Sequence, residues 1–374
     1  VPLRALARVN LAAIERNCAR LAGALSGGAV LGAVVKADGY GHGAVPVARA
    51  ARAAGAGWLC VATADEAAEL RAGGLEGPIL VMGALSAEEL PIALDARADL
   101  VAWREAFVVE LESAAARRAP ARVHVKLDTG MGRLGTRDPG EADRVAERVA
   151  AAPGLELAGA MTHFATSDDD PEFLAEQLGR FTPWARALAQ RHPGVLLHAA
   201  NSAATLAEPA SHFDLVRCGI AVYGMDPFHE DPVARGLEPA LELSSYVAEV
   251  KDAAPGQSAG YGRRFVAERP TRIATLPIGY GDGIRRALTN DCDVLVRGRR
   301  HPLVGTVSMD NVTIDVGPDS DVAPGDLAVF IGRDGEERQT AEELARRMGT
   351  INYEVACGIS ARVPRVYHRD GQPA

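Results

Sequence analysis

The chain has 374 residues, 48% hydrophobic and 24% charged, a globular composition with room for about two domains. A formal net charge of −9 and a pI near 5.6 leave no basic field for nucleic acid or an anionic membrane, so neither is expected as a partner. The five cysteines, Cys18, Cys60, Cys218, Cys292 and Cys357, are odd in number and lack metal or redox spacing, so the reading is free thiols in a reducing cytoplasm and no metal site. The opening stretch VPLRALARVNL has no basic region leading into a long apolar core, and no apolar run reaches the length of a bilayer, so neither a secretory signal nor a membrane span is expected.

Residues 1–232 alternate short β-rich runs with helical segments. The runs are LGAVVK (31–36), WLCVA (58–62), PILVM (78–82), ADLVA (98–102), RVHVKLD (122–128), LELAGAMTHF (155–164), VLLHAAN (195–201) and FDLVRCG (213–219). Between them, Thr63 and Glu66 stand in capping-box spacing, and so do Ser86 and Glu89. Eight strand–helix units predict a closed (β/α)8 TIM-like barrel. A doubly wound sheet fits less well, because no Gly-x-Gly-x-x-Gly turn follows the first run. Residues 233–374 change texture: strands separated by turns such as Pro255-Gly256 and Pro324-Gly325, with one helix capped by Thr340 and Glu343. They predict a mostly β C-terminal domain.

Active sites of such barrels lie at the carboxyl ends of the strands. Lys36 ends the first run. Lys126, Asp128 and Arg133 lie at or just after the fifth, His163 at the sixth, Asn201 and Ser202 after the seventh, and Arg217 at the eighth. Each alone has an ordinary explanation, such as a snorkelling lysine or a satisfied histidine. Five strands placing polar side chains on one rim read as a site. The last two loops offer a hydroxyl at Ser202 and backbone N–H groups at Gly219 and Ile220, a phosphate anchor. A reactive lysine opposite a phosphate anchor points to pyridoxal 5′-phosphate held as a Schiff base.

At this point the sequence resembles the alanine racemase family, fold-type III pyridoxal phosphate enzymes. The resemblance rests on AVVKADGYGHG (33–43), KLDTGMGRLG (126–135), MTHFATSD (161–168), NSAAT (201–205), FDLVRCGIAVYG (213–224), AGYGRRF (259–265), LPIGYGDG (276–283), VGTVSMDN (304–311) and INYEVACGISARVPR (351–365), in the family order. It implies that Lys36 is the Schiff-base lysine and one catalytic base, and that Tyr261 is the base for the opposite face of the substrate Cα. Two bases are wanted because a proton leaves one face and arrives on the other. It also implies that Tyr40, Ser202, Gly219, Ile220 and Tyr353 surround the phosphate, with Asn201 beside them. Arg217 then meets the pyridine nitrogen, and His163 links Arg217 to Tyr261. Arg133 and the backbone around Met309 are implied to bind the substrate carboxylate, and Lys126 matches a position often carbamylated.

The implied activity is interconversion of L- and D-alanine, supplying D-alanine for peptidoglycan in the cytoplasm. The implied assembly is a homodimer in which each site borrows its tyrosine from the partner. Thr306 departs from the family pattern, where arginine is common, and Ser308 stands where cysteine is frequent. Two other readings are weighed: a racemase of broader specificity that includes serine, and a non-catalytic pyridoxal phosphate carrier. The carrier reading would match residues 1 to about 230 alone.

Overall fold

The computed structural model describes residues 3–116 and 118–374. The chain divides into two compact units. One is Ile14–Gly39 with Gly43–Val222; the other holds the described residues up to Ala13, Tyr40–His42 and Tyr223–Ala374.

The first unit is the barrel. Its strands are Val30–Val34, Trp58–Val61, Ile79–Val81, Leu100–Ala102, Ala121–Lys126, Leu155–Met161, Leu196–His198 and Leu215–Cys218. These are the eight runs read from the sequence, in order. Neighbours pair in parallel, and the first strand also pairs with the eighth, through Val30↔Leu215 to Ala33↔Cys218. The third and fourth strands join at Leu80↔Asp99. The seventh and eighth join through Asp214 N–H to Leu197 O (3.0 Å) and Arg217 N–H to Ala200 O (2.9 Å), so the circle closes. Continuous burial along the strands is what two covered faces require.

Local signals explain the helices only in part. Thr63 and Glu66 form a complete capping box on Ala64–Ala72. Ser86 and Glu89 do not: the helix starts at Leu90 without a side-chain cap, and the Glu89 carboxylate accepts from Ser86 N at 2.8 Å, one turn early.

The second unit is built on an eight-stranded sheet. Its strand order is Arg299–Pro302, Asp293–Val296, Leu327–Asp334, Leu241–Tyr246, Leu6–Asn10, Arg365–Arg369, Gln372–Pro373, with Glu337–Gln339 also paired to Leu327–Asp334. A three-stranded sheet (Glu249–Ala253, Thr271–Leu276, Val312–Asp315) and a short hairpin (Ser258–Ala259 with Phe265–Val266) complete its strands among the described residues. Sequence reading placed Leu6–Asn10 with the barrel. Instead it lies between Leu241–Tyr246 and Arg365–Arg369, burying Ala7 and Val9 in strand alternation. Only partners hundreds of residues away reveal that. Among the described residues after Tyr223 two α-helices, not one, interrupt the strands: Ala341–Met348, with the expected Thr340/Glu343 box, and Asn352–Cys357, too short to show a helical period.

Candidate active site

Lys36 stands just past the first strand, where Val35 N–H still donates to Cys60 O at 2.9 Å. It opens a turn in which Ala37, Asp38, Gly39 and Tyr40 all have φ between 52° and 60°. A left-handed run with three side chains costs on the order of 1–2 kcal/mol for each non-glycine residue. The surroundings hold it. Ala37 N–H donates to Glu66 Oε1 at 2.6 Å, while Glu66 Oε2 takes Ala62 N–H and Thr63 N–H. Asp38 takes Gly43 N–H on its carbonyl and Ala44 N–H on its carboxylate. Glu66, which caps the helix Ala64–Ala72 after the second barrel strand, therefore also anchors the lysine's turn.

Lys126 ends the fifth strand and is 4% exposed. Burial lowers its amine to about 8; Arg217, Arg133 and Lys36 push the same way, against Asp128. Asp128 organises the loop that carries Arg133, accepting from Gly130 N–H (3.1 Å) and Gly132 N–H (3.0 Å). Burial pushes its carboxyl up, but those N–H groups and Arg137 outweigh it and hold it below the usual range. Arg133 itself is exposed, and no carboxylate pairs with it among the described residues. His163 lies beyond the sixth strand; burial first, then Arg217, Lys126, Arg133 and Lys36, keep it well below the ordinary histidine value. It is a neutral imidazole among cations.

Arg217 lies within the eighth strand at 3% exposure. Nη1 contacts His198 Nδ1 at 2.8 Å. Nη2 donates to Thr162 O (2.8 Å) and Ala199 O (3.0 Å) and reaches His163 Nδ1 at 3.4 Å. Nε is buried with no hydrogen-bond partner among the described residues. Burial lowers the guanidinium to about 10, which leaves it charged at neutral pH. Ser202 is buried, and its hydroxyl accepts from Gly219 N–H at 3.0 Å and Ala221 N–H at 3.4 Å; Ile220 between them is also buried. Asn201 caps the helix Ser202–Ala207 and pairs with Ser167 Oγ at 2.7 Å.

The other sequence-predicted residues fall in the second unit. The rings of Tyr40 and Tyr353 lie 5.9 Å apart, with Tyr223 5.0 Å from Tyr40. Tyr261 stands at the tip of the short hairpin between Gly260 and Gly262, both at positive φ, and is 74% exposed. Thr306, at one of the positions that depart from the family pattern, is buried, and its hydroxyl donates to Tyr261 O at 2.7 Å. Met309 is half exposed. Ser308 O and Met309 O accept from Tyr280 N–H and Gly281 N–H, both at 2.9 Å; a Cβ on Gly279 would come within 2.2 Å of Ser308 O, which explains LPIGYGDG. The buried Asp282 carboxylate of that motif is held by Arg4, Arg362 and Gly279 N–H.

Sequence reasoning missed the residues behind the rim. Thr162, His198 and Gln177 are buried partners of the named set: Gln177 bonds Thr129 Oγ1, His163 O and Ala165 N–H across two loops. One overlooked signal was composition. The chain has only three lysines, against 37 arginines, and two of the three are Lys36 and Lys126. Where a chain uses arginine for nearly all its cations, an amine stands out. A cavity of about 520 Å³ in the second unit, lined by Arg8, Tyr223, Leu241, Ile331 and Arg338 among others, includes none of the sequence-predicted site residues.

Fold and rim together define a barrel enzyme whose amine, imidazole and guanidinium gather at the carboxyl ends of parallel strands, joined to a mostly β unit that carries an exposed tyrosine. Profiles for the N-terminal and C-terminal domains of alanine racemase match residues 9–227 and 240–367. The chain is 44% identical over 368 residues to an alanine racemase of Thermobifida fusca, covering 96% of this chain and 97% of the relative. It is 40% identical over 367 residues to alanine racemase 2 of Caldanaerobacter subterraneus, covering 97% and 95%. Among solved structures, an alanine racemase from D-cycloserine-producing Streptomyces lavendulae matches with a TM-score of 0.93 at 37% identity, covering 98% of each chain. One from Bacillus anthracis with bound L-Ala-P matches with a TM-score of 0.92 at 36% identity, covering 100% of this chain and 98% of that one. The chain belongs to the alanine racemase family. The match to the C-terminal domain removes the carrier reading.

Proposed function

We propose that the chain interconverts L- and D-alanine with pyridoxal 5′-phosphate, Lys36 holding the cofactor and serving one face of the substrate, Tyr261 the other. The observation that carries the reading is Arg217 Nε, a donor buried in a charged barrel rim without an acceptor among the described residues. Buried donors are rarely left so, and an aromatic nitrogen would complete it. Other barrel groups fit the same cofactor: the Ser202 hydroxyl, positioned by the Gly219 N–H, and the Ile220 backbone suit a phosphate, with Gly219 beside it, and Lys36 supplies the amine. When bound, the cofactor supplies the electron sink that makes the Cα proton removable.

The chain's own residues would then do the following. Arg217 donates and keeps its proton, so the ring nitrogen it meets stays neutral and the sink stays shallow, which disfavours decarboxylation and transamination. His163 Nδ1 faces Arg217 Nη2 at 3.4 Å, and since a guanidinium accepts no hydrogen bond, the imidazole proton is placed on Nε2. Arg133, exposed and without a carboxylate partner among the described residues, is available with the backbone around Met309 for the substrate carboxylate. The lowered amine of Lys126 suits reaction with carbon dioxide, which forms an N–C bond, releases a proton and leaves a carbamate as the anion beside Arg133. Tyr40 and Tyr353 join the phosphate contacts. Tyr261 is too exposed for a base that must work without water, which supports a homodimer in which a partner chain closes over it.

The cysteines, four of the five buried and none in a disulfide among the described residues, are consistent with a cytoplasmic protein; no helix among the described residues is long and apolar enough to cross a membrane. Supply of D-alanine for peptidoglycan is the role this activity would serve.

The test is borohydride reduction of the purified holoenzyme followed by peptide mass spectrometry, with a D-amino-acid-oxidase assay across several L-amino acids. The expected result is a pyridoxyl adduct on Lys36 and D-product from L-alanine above all. An adduct on Lys126 or Lys251, or no D-alanine, overturns the reading; equal rates with L-serine would make it a broader racemase.

A further inference from the structure

A line of buried polar groups runs into the barrel from Arg217, and the proposed racemisation gives it no task. Arg217 Nη1 lies 2.8 Å from His198 Nδ1, His198 Nε2 lies 2.8 Å from His124 Nδ1, and His124 Nε2 lies 3.0 Å from Asp99 Oδ2. Arg217 and Asp99 are each 3% exposed, and both histidines are fully buried. The residues come from the fourth, fifth, seventh and eighth strands or their edges, so the line crosses the barrel.

The line is built rather than incidental. His124 fits only because residue 159, on the neighbouring sixth strand, is glycine: a Cβ there would stand 2.0 Å from His124 Nδ1. The strand pairing shifts register between Val123 and His124, which sets the ring at that place. Trp58 meets the ring edge-on at 5.7 Å. Asp99 also takes Arg122 Nε at 3.0 Å.

The two ends dictate where the protons sit. Arginine can only donate, and a carboxylate can only accept. His198 Nδ1 must therefore accept from Arg217, which puts its proton on Nε2. His124 Nδ1 must accept that proton, which puts its own on Nε2, aimed at Asp99. If either ring were cationic, two N–H groups would face each other at hydrogen-bond distance. One arrangement satisfies every contact: both imidazoles neutral, both carrying the proton on Nε2, all donors pointing from Arg217 toward Asp99. Burial and Arg217 also keep His198 well below the ordinary histidine value, in agreement.

We infer that Asp99, His124 and His198 are positioning residues that hold the Arg217 guanidinium in one plane and leave Nε as its free donor toward the cofactor. Asp99 acts at three hydrogen bonds' remove: it fixes the tautomer of His124, which fixes that of His198, which engages Nη1. With Nη2 held by two carbonyls, the guanidinium cannot rotate to offer Nη1 instead. The functional half of this inference rests on the proposed cofactor reading; the proton arrangement does not, so the two can fail separately.

The test uses the holoenzyme with 15N-labelled histidine. Long-range 15N–1H spectra, assigned with single histidine variants, report the tautomer of each ring. The expected wild-type result is that His124 and His198 both carry the proton on Nε2. Asp99→Leu removes the terminal acceptor, and Gly159→Ala displaces His124 without altering a member of the line. Each is expected to change the His198 ring signals and to lower kcat about tenfold, the order seen when outer hydrogen-bond partners are lost, with KM for L-alanine nearly unchanged. Asp99→Asn, which keeps an acceptor, is expected to restore the tautomers and much of kcat. A wild-type proton on Nδ1 of either ring overturns the inference whether or not the variants fold. So does an unchanged His198 spectrum, or an unchanged kcat, in folded Asp99→Leu and Gly159→Ala.

Discussion

Lys126 offers a prediction with a magnitude. Its amine sits at about 8 where an ordinary lysine sits at 10.5, because it is buried among cations. At pH 7 about one chain in ten then carries the free amine, against roughly one in three thousand for an exposed lysine. The same gap is a folding penalty. A lysine whose folded value is lowered makes the unfolded state the better proton binder between the two values, so stability rises with pH across that window. The penalty is complete below about pH 8, near 3 kcal/mol, and gone above about pH 10.5. At 4% exposure, little solvent screening reduces it.

Lys126→Met, similar in volume and uncharged, should therefore stabilise the carbon-dioxide-free protein by up to about 3 kcal/mol at pH 7. The advantage should shrink as pH rises through 8 toward 10.5. Urea unfolding of both proteins at a series of pH values measures it. Bicarbonate should raise the wild-type midpoint by converting the cation to a carbamate, leave Lys126→Met unmoved, and give a carbamate signal in 13C spectra with labelled bicarbonate. A Lys126→Met advantage that is absent at pH 7, or independent of pH, would refute the buried-amine reasoning. A bicarbonate effect of the same size in both proteins would refute the carbamate.

Three further outcomes are expected. Lys36→Ala and Tyr261→Phe, each nearly inactive, should recover about a quarter of wild-type activity when mixed and allowed to exchange subunits, since about half the dimers are mixed and each has one intact site; no recovery after proven exchange would show that the two residues meet within one chain. Thr306→Val removes the hydroxyl bond to the Tyr261 carbonyl, worth about 1 kcal/mol, and should slow turnover about fivefold without weakening cofactor binding, as read by steady-state rates and cofactor titration. Arg4→Ala strips a partner from the fully buried Asp282 and should destabilise the second unit by about 2 kcal/mol, below the usual cost of breaking a buried pair because Arg4 is 37% exposed and Arg362 remains. Burial pushes Asp282 up, but Arg4, the Gly279 N–H and Arg362 together outweigh it and hold the carboxyl below its usual range. The deficit should therefore be full at neutral pH and fade in acid as pH falls through the folded value, which melting curves would follow.

From the sequence by itself the barrel was legible, because its signals are local. Each strand is an apolar run between turns, and a polar residue just past such a run marks the catalytic rim of this architecture. Capping boxes at Thr63 and Thr340 could be read from four consecutive residues, and the nine motifs pointed to the family without any coordinates. What the sequence could not decide depends on partners far along the chain. Leu6–Asn10 looked like the way into a barrel, yet its strand neighbours lie near residues 243 and 367. Lys36 looked like a strand end, but the left-handed turn after it is held by Glu66 from the next unit of the barrel. His124 sat inside an apolar alternation as one more inward side chain, and Gly159 as one more small residue in LELAGAM. Only closing the barrel sets that ring against that glycine and between Asp99 and His198. A hydrogen-bond line across a core has no period and no fixed spacing in the chain; it exists once tertiary packing excludes water and every donor must find an acceptor.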